Sequence, residues 1–187
     1  MDLNTCFKCK IAQERLEEDY KNDRFVYLES REFEEVYKYI AEVINKYSIK
    51  SVLDVGCGVA VLKKHLDDKI EYAGIDASKT AIRRAKNGNC GGKYYCRRLD
   101  NPIDFIQWFD CILFCNFLYL IKEDKLVEFV KFFTVKCHAE YFITVDCCNT
   151  DLRNIRNMFK EVESKKFFIN MNLPEYKKYR EVIIYKI

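Results

Sequence analysis

The sequence predicts an α/β protein: a doubly wound, mostly parallel seven-stranded sheet with helices on both faces. Apolar runs of strand length alternate with amphipathic segments of helical period along the chain. Residues 51–58, Ser-Val-Leu-Asp-Val-Gly-Cys-Gly, read as a short buried strand that runs into a glycine turn. Two strand-like segments then close the chain with no helix between them.

Residues 1–30 have weak periodicity, with Ile11, Leu16 and Tyr20 able to line one face of a short helix. Residues 31–47 form an amphipathic helix, because Phe33, Val36, Tyr37, Ile40, Ala41 and Ile44 recur at i, i+3, i+4. Val52, Leu53 and Val55 make the first strand, and Val61, Leu62 and Leu66 suggest a helix over 59–66. A second strand covers 70–75 and ends on Asp76. A helix follows over 78–87, with Ser78 as its N-cap, and then a strand over 93–99. The fourth strand is 109–114. Helix 123–136 buries Leu126, Phe129, Val130 and Phe133. The fifth strand is 141–145, a shorter helix spans 150–160, and strands 162–170 and 180–186 are joined by a turn around Pro174.

The 187 residues, 49% of them hydrophobic, suffice for a single domain with a sizeable core. Residues 1–30 would cap an α/β core formed by 31–187. No apolar run approaches the roughly 20 residues that span a bilayer, and the N-terminal residues do not read as a signal peptide. A cytoplasmic location is expected, with no membrane partner. The ten cysteines then read as free thiols. Cys6-Phe-Lys-Cys9 is the only C-x-x-C and lacks the second pair a tetrahedral zinc site needs, so no metal is expected.

The net charge of +3 is too balanced to indicate nucleic-acid binding by itself. Residues 77–99 nevertheless hold seven basic residues (Lys79, Arg83, Arg84, Lys86, Lys93, Arg97, Arg98) and no acid. That stretch is either a solvated face or a patch for an anionic substrate or RNA.

The glycine turn separates two nucleotide-type readings. A dinucleotide fingerprint needs a third glycine where Val61 stands. What stands here is Asp54-Val-Gly56-Cys57-Gly58-Val-Ala60, with a carboxylate two residues before the first glycine. It resembles the first motif of class I S-adenosylmethionine (SAM)-dependent methyltransferases, with Ala60 in place of a usual third glycine. SAM carries an ammonium and a sulfonium, so an acid at the turn suits it better than it suits a pyrophosphate. Asp76 lies 18 residues after Gly58, the spacing of a βαβ unit, and could accept hydrogen bonds from ribose hydroxyls. Asp100-Asn101 stand where the family sets an acid against the adenine amino group. Residues 109–121 resemble its fourth strand and the loop beside the methyl group.

The resemblance runs from about Phe33 to the C-terminus and implies that the last strand is antiparallel. It implies a cofactor set of Asp54, Gly56, Cys57, Gly58, Asp76, Ala77, Asp100, Asn101 and Cys115. The cofactor is S-adenosyl-L-methionine, leaving as S-adenosyl-L-homocysteine. Asn116, Tyr119 and Asp146 are the catalytic candidates. Asp146 is either a general base or a helix-capping acid. Tyr119 either orients the acceptor or is core. Asn116-Phe-Leu-Tyr119 lacks the prolines of adenine and glutamine N-methyltransferases and looks more like small-molecule enzymes. His138 precedes the fifth strand and His65 ends the first helix, so neither is expected at the site.

The reaction expected is methyl transfer to an oxygen or nitrogen of a small-molecule acceptor, with residues 10–30 either the lid over it or a structural helix with no role in the acceptor site. An RNA or protein methyltransferase using 77–99, a SAM-binding regulatory protein without activity, and a nicotinamide enzyme are the alternatives. The oligomeric state and the acceptor are not legible.

Overall fold

The computed structural model describes residues 6–7, 13–88, 91–99, 108–147, 150–172, 174 and 178–187. Two helices precede the sheet, α1 (Gln13–Lys21) and α2 (Arg31–Lys46). The chain then runs through β1 (Ser51–Val55), β2 (Glu71–Asp76), α3 (Lys79–Gly88), β3 (Gly92–Cys96) and β4 (Cys111–Cys115). It finishes with α4 (Leu126–Lys136), β5 (Tyr141–Cys147), α5 (Arg153–Met158), β6 (Lys160–Phe168) and β7 (Tyr179–Lys186).

The strands form one seven-stranded sheet in the order β3-β2-β1-β4-β5-β7-β6. The first five are parallel. β7 runs antiparallel to both β5 and β6, and so lies between them. The order reverses between β1 and β4, which leaves a crevice at their carboxyl ends. β7 starts at that same end of the sheet, because it is antiparallel.

Each face of the sheet is buried by its own helices. Phe33, Val36, Ile40 and Ile44 of α2, with Ile82 and Ala85 of α3, pack on Val52, Tyr72, Leu113, Ile143, Val182 and Ile184. On the other face Phe129, Val130 and Phe133 of α4 and Ile155 of α5 meet Leu53, Ala73, Ile112, Phe114, Phe142 and Tyr185. Strands buried on both faces read as continuous apolar runs, which is why β1, β4 and β5 stood out in the sequence.

One of the expected helices is not an α-helix. The segment expected over 59–66 is a 3₁₀ turn over Val61–His65. Ala60 enters it in the left-handed region, at φ +57°, which cannot continue into a right-handed helix. Asp67 then accepts the Lys69 and Ile70 N–H groups and turns the chain into β2. The later helix is also shorter than 150–160: Asp151 accepts the Arg153 N–H, and Lys160 already belongs to β6. Asp110 accepts the Lys50 and Ser51 N–H groups and joins the starts of β4 and β1 at the opposite end. The turn around Pro174 is flanked by residues outside those described.

Candidate functional site

β1 delivers the glycine turn to the crevice. Gly56 and Gly58 have φ of +77° and +54°, conformations glycine adopts without strain. The N–H groups of Gly56 and Cys57 both donate to the Ile75 carbonyl of β2, at 2.8 and 3.0 Å. The turn is therefore anchored to the neighbouring strand.

Two buried carboxylates flank the turn. Asp54 accepts the Tyr72 hydroxyl on Oδ2 at 2.6 Å, and its Oδ1 has no partner among the described residues. Burial pushes Asp54 up to about 7; the Tyr72 bond works against this and the nearby Asp76 adds to it. Asp76 accepts the Gly58 N–H on Oδ2 at 2.9 Å and the Ser78 N–H on Oδ1 at 2.8 Å. It is pushed up to about 6, again mainly by burial, with those N–H bonds opposing. In both acids burial disfavours the charged form. Each Asp76 oxygen keeps a lone pair beyond its backbone bond. Ala77 leads from Asp76 into α3, and its carbonyl lies 3.7 Å from the Cys96 thiol. The Cys57 side chain packs under Gly74 and is raised by burial.

The N-terminal helix closes one side. Tyr20 of α1 is buried, and a Cβ on Gly58 would stand 2.7 Å from its hydroxyl. Glu17, one turn earlier, accepts the Ser78 hydroxyl (2.7 Å), the Thr80 hydroxyl (2.7 Å) and the Thr80 N–H (3.0 Å). Ser78 caps α3 as expected, its Oγ accepting the Ala81 N–H at 3.1 Å. Glu17 thus adds a second cap to α3 from a different helix. Burial would raise Glu17, but the bonds from Ser78 and Thr80 outweigh it and its carboxyl is lowered.

The other side is built by the loop after β4. Phe117 stacks on Phe129 and lies against Gly56, where a Cβ would stand 2.2 Å from its ring. Asn116 is in the left-handed region, at φ +52°, and donates its N–H to the Val145 carbonyl of β5. Its Oδ1 accepts Nε of Arg180 at 2.8 Å, and its Nδ2 lies 3.5 Å from the Cys115 thiol. Arg180 is only 3% exposed and stacks on Phe33 at 5.2 Å. Tyr119 is 41% exposed, so the reading of it as core does not hold. It occupies a short 3₁₀ turn, Leu118–Leu120, after β4.

Asp146, at the end of β5, is buried and accepts the Thr150 hydroxyl at 3.4 Å. Among the described residues it does not stand at a helix cap: α5 begins at Arg153, with Leu152 at its cap position. His138 stacks beside Trp108 at the opposite end of the sheet, as its place before β5 requires. His65 stacks on the Tyr37 ring. Asp100 and Asn101 lie outside the described residues, as do Cys9, Cys90 and Cys148. The described cysteines are in no disulfide, and among the described residues no group of three His, Cys, Asp or Glu could hold a metal ion.

Glu17, Arg180 and Phe117 were not expected at the site. Arg180 had a signal: it shares strand parity with Val182 and Ile184, which places it on a buried face. Phe117 carried only the general mark of an aromatic after a strand. Glu17 carried none, because its partners are 61 and 63 residues away.

Several solved structures superpose on this arrangement. NodS, an N-methyltransferase from Bradyrhizobium japonicum WM9 in complex with S-adenosyl-L-homocysteine, matches with TM-score 0.71 and 16% identity, over 93% of this chain and 97% of its own. The magnesium protoporphyrin IX methyltransferase ChlM from Synechocystis PCC 6803, with bound SAM, gives 0.69 and 10% over 96% and 99%. This chain has the class I methyltransferase fold. The plantazolicin methyltransferase BpumL, in complex with a monoazolic desmethylPZN analogue and S-adenosyl-L-homocysteine, gives 0.59 and 12% over 92% and 89%. No protein-family model and no curated protein matches the sequence. Asp54, Gly58, Asp76 and Asn116 lie at or just after the carboxyl ends of β1, β2 and β4.

Proposed function

We propose that the protein is a SAM-dependent methyltransferase that methylates an oxygen or nitrogen of a small-molecule acceptor, releasing S-adenosyl-L-homocysteine. The observation that carries this reading is the pair of buried acids at the glycine turn, Asp54 and Asp76. An open acceptor at Asp54 Oδ1 suits an ammonium, and Asp76 keeps lone pairs for hydroxyls. Solved neighbours with SAM or S-adenosyl-L-homocysteine bound support it.

The cofactor, when bound, supplies an electrophilic methyl group on a sulfonium. The chain's own residues do the rest. Asp54, Gly56, Cys57, Gly58, Asp76, Ala77 and Cys115 would hold the adenosyl ligand, with Asp100 and Asn101 at the adenine. Tyr20, Phe117 and Tyr119 shut out water, which strengthens every interaction inside. Asn116 would orient the acceptor about 3 Å from the methyl carbon. Asp146 would take its proton where the nucleophile is protonated.

We place the chain as one domain, with residues 1–30 capping a core of 31–187, in the cytoplasm. Among the described residues no helix is long and apolar enough to cross a membrane. The RNA reading is weakened by the basic stretch itself: Arg84 pairs with Asp23 at 2.7 Å and Lys93 with Glu71 at 2.6 Å. A protein methyltransferase and a SAM-binding protein without activity are the remaining alternatives.

Calorimetric titration with SAM and S-adenosyl-L-homocysteine, with NAD as control, tests the proposal. Micromolar binding of both adenosyl ligands, lost in Asp76→Ala, is expected. Binding of NAD instead, or of neither adenosyl ligand, overturns it.

A further inference from the structure

Resting on the methyltransferase reading, we propose that Tyr20 is a further cofactor residue, brought to the glycine turn by α1, and that its hydroxyl hydrogen-bonds to the adenosyl ligand at the ribose, beside Asp76. Among the described residues of α1, Tyr20 alone is buried, at 9% exposure. Its ring packs on Phe25, with 4.8 Å between the centroids. Its hydroxyl has no hydrogen-bond partner among the described residues. A buried tyrosine hydroxyl ordinarily has one. The hydroxyl closes on Gly58, 2.7 Å from where a Cβ there would stand. Gly58 in turn donates its N–H to Asp76 Oδ2. The Tyr20 hydroxyl and the Asp76 carboxylate thus meet at one residue of the turn.

The helix that carries Tyr20 is fixed to the same strand end. Ser78 donates its N–H to Asp76 Oδ1 at 2.8 Å and its hydroxyl to Glu17 Oε2 at 2.7 Å. One serine therefore ties the acid to α1. Glu17 stands three residues before Tyr20, about one helical turn. Just past the helix, Asp23 pairs with Arg84 of α3 at 2.7 Å. These ties come from polar side chains on either side of Tyr20 in the chain, so the helix is positioned by them and leaves the phenol to the crevice.

The ribose needs what Tyr20 has. A sugar hydroxyl both donates and accepts, whereas an ionised Asp76 only accepts. A ribose hydroxyl that donates to Asp76 still has lone pairs to be met by a donor. The N–H groups of the turn are engaged elsewhere: Gly56 and Cys57 donate to the Ile75 carbonyl, and Gly58 to Asp76. The Tyr20 hydroxyl is a donor at the same place. Burial, and after it the negative charge of Asp76, raise it well above the ordinary tyrosine value, so it keeps its proton. No charge on the ligand is needed for this contact, and it serves S-adenosyl-L-methionine and S-adenosyl-L-homocysteine alike.

The experiment is calorimetric titration of the whole protein with two probes. One is S-adenosyl-L-homocysteine. The other is 5′-methylthioadenosine, which keeps the ribose and lacks the amino-acid end. If wild type binds neither, the methyltransferase reading falls and this proposal with it. If it binds them, Tyr20→Phe, which removes only the hydroxyl, should weaken both by about fivefold. Its unfolding midpoint without ligand should not fall, because that hydroxyl bonds to nothing in the protein. Glu17→Ala should also weaken both, and Tyr20→Phe should cost less in that background, because the helix no longer holds the ring in place. Unchanged affinities in Tyr20→Phe overturn the proposal while leaving the cofactor reading intact. A loss confined to S-adenosyl-L-homocysteine overturns it too, since the hydroxyl would then lie at the amino-acid end. Should Tyr20→Phe not fold, hydrogen exchange on wild type decides: S-adenosyl-L-homocysteine should slow the amides of α1 and of Thr80, and no slowing at α1 overturns the proposal.

Discussion

The hydroxyl of Tyr20 lies over Gly58, 2.7 Å from where a Cβ on that glycine would stand. A residue from the N-terminal helix thus covers the turn that β1 presents. Gly58→Ala combines that clash with a backbone angle of +54° and should destabilise the fold by about 1–3 kcal/mol. Tyr20→Ala should remove the clash but not the strain. The cost of Gly58→Ala, read from denaturant midpoints, should therefore shrink in the Tyr20→Ala background. Equal costs in both backgrounds would show that the two residues are not in contact.

Gly56→Ala should be worse. Its Cβ would meet the Phe117 ring at 2.2 Å, and that ring is held by Phe129 rather than by a helix near the surface. A loss of about 2–3 kcal/mol is expected, together with loss of adenosyl-ligand binding. Unfolding curves and calorimetry on one sample check both.

The two raised acids predict a pH dependence. Asp54 stands at about 7 and Asp76 at about 6, against about 4 in an unfolded chain. Between those values the folded protein binds more protons than the unfolded one. Their contribution to stability is thus complete below about pH 4 and is lost as pH rises through 6 to 7. A cationic ligand favours the ionised acids, so SAM affinity should rise from pH 5 to pH 8. Binding near pH 6.5 should release protons. Titrations in buffers of different ionisation enthalpy measure that release, and proton uptake would contradict the assignment.

Glu17 works in the opposite sense. Its carboxyl is lowered, so its contribution is present at neutral pH and fades as pH falls through its pKa. Glu17→Ala should cost about 1 kcal/mol, the usual loss of a helix cap. Faster hydrogen exchange at the Thr80 amide, with earlier proteolysis of α1, would show that the helix has come away.

Much of the sheet was legible because its strands are buried on both faces. Val52, Leu53 and Val55, or Ile112, Leu113 and Phe114, have no polar alternation to obscure them. The turn was legible because Gly56 and Gly58 do what only glycine does easily. The 3₁₀ turn after it was not, because Val61, Leu62 and Leu66 fit a helical period and nothing in alanine announces a left-handed residue at Ala60. The site was readable where it lies on strand ends, at Asp54, Asp76 and Asn116. It was not readable where distant segments meet, as Glu17 meets Thr80 or Arg180 meets Asn116, because a single sequence does not record which parts of the chain will touch.

The insertion of β7 between β5 and β6 has a consequence for the order of assembly. A ribosome releases β6 before β7, yet among the described residues β6 pairs with no strand except β7. β6 must therefore wait in solution for its neighbour. Its composition suits the delay: Lys160, Glu161, Glu163, Lys165 and Lys166 keep a lone strand from pairing with other chains. Arg180 reaches the crevice with that last strand. A nascent chain can fold its glycine turn and its two acids early, but the guanidinium behind Asn116 arrives only with β7.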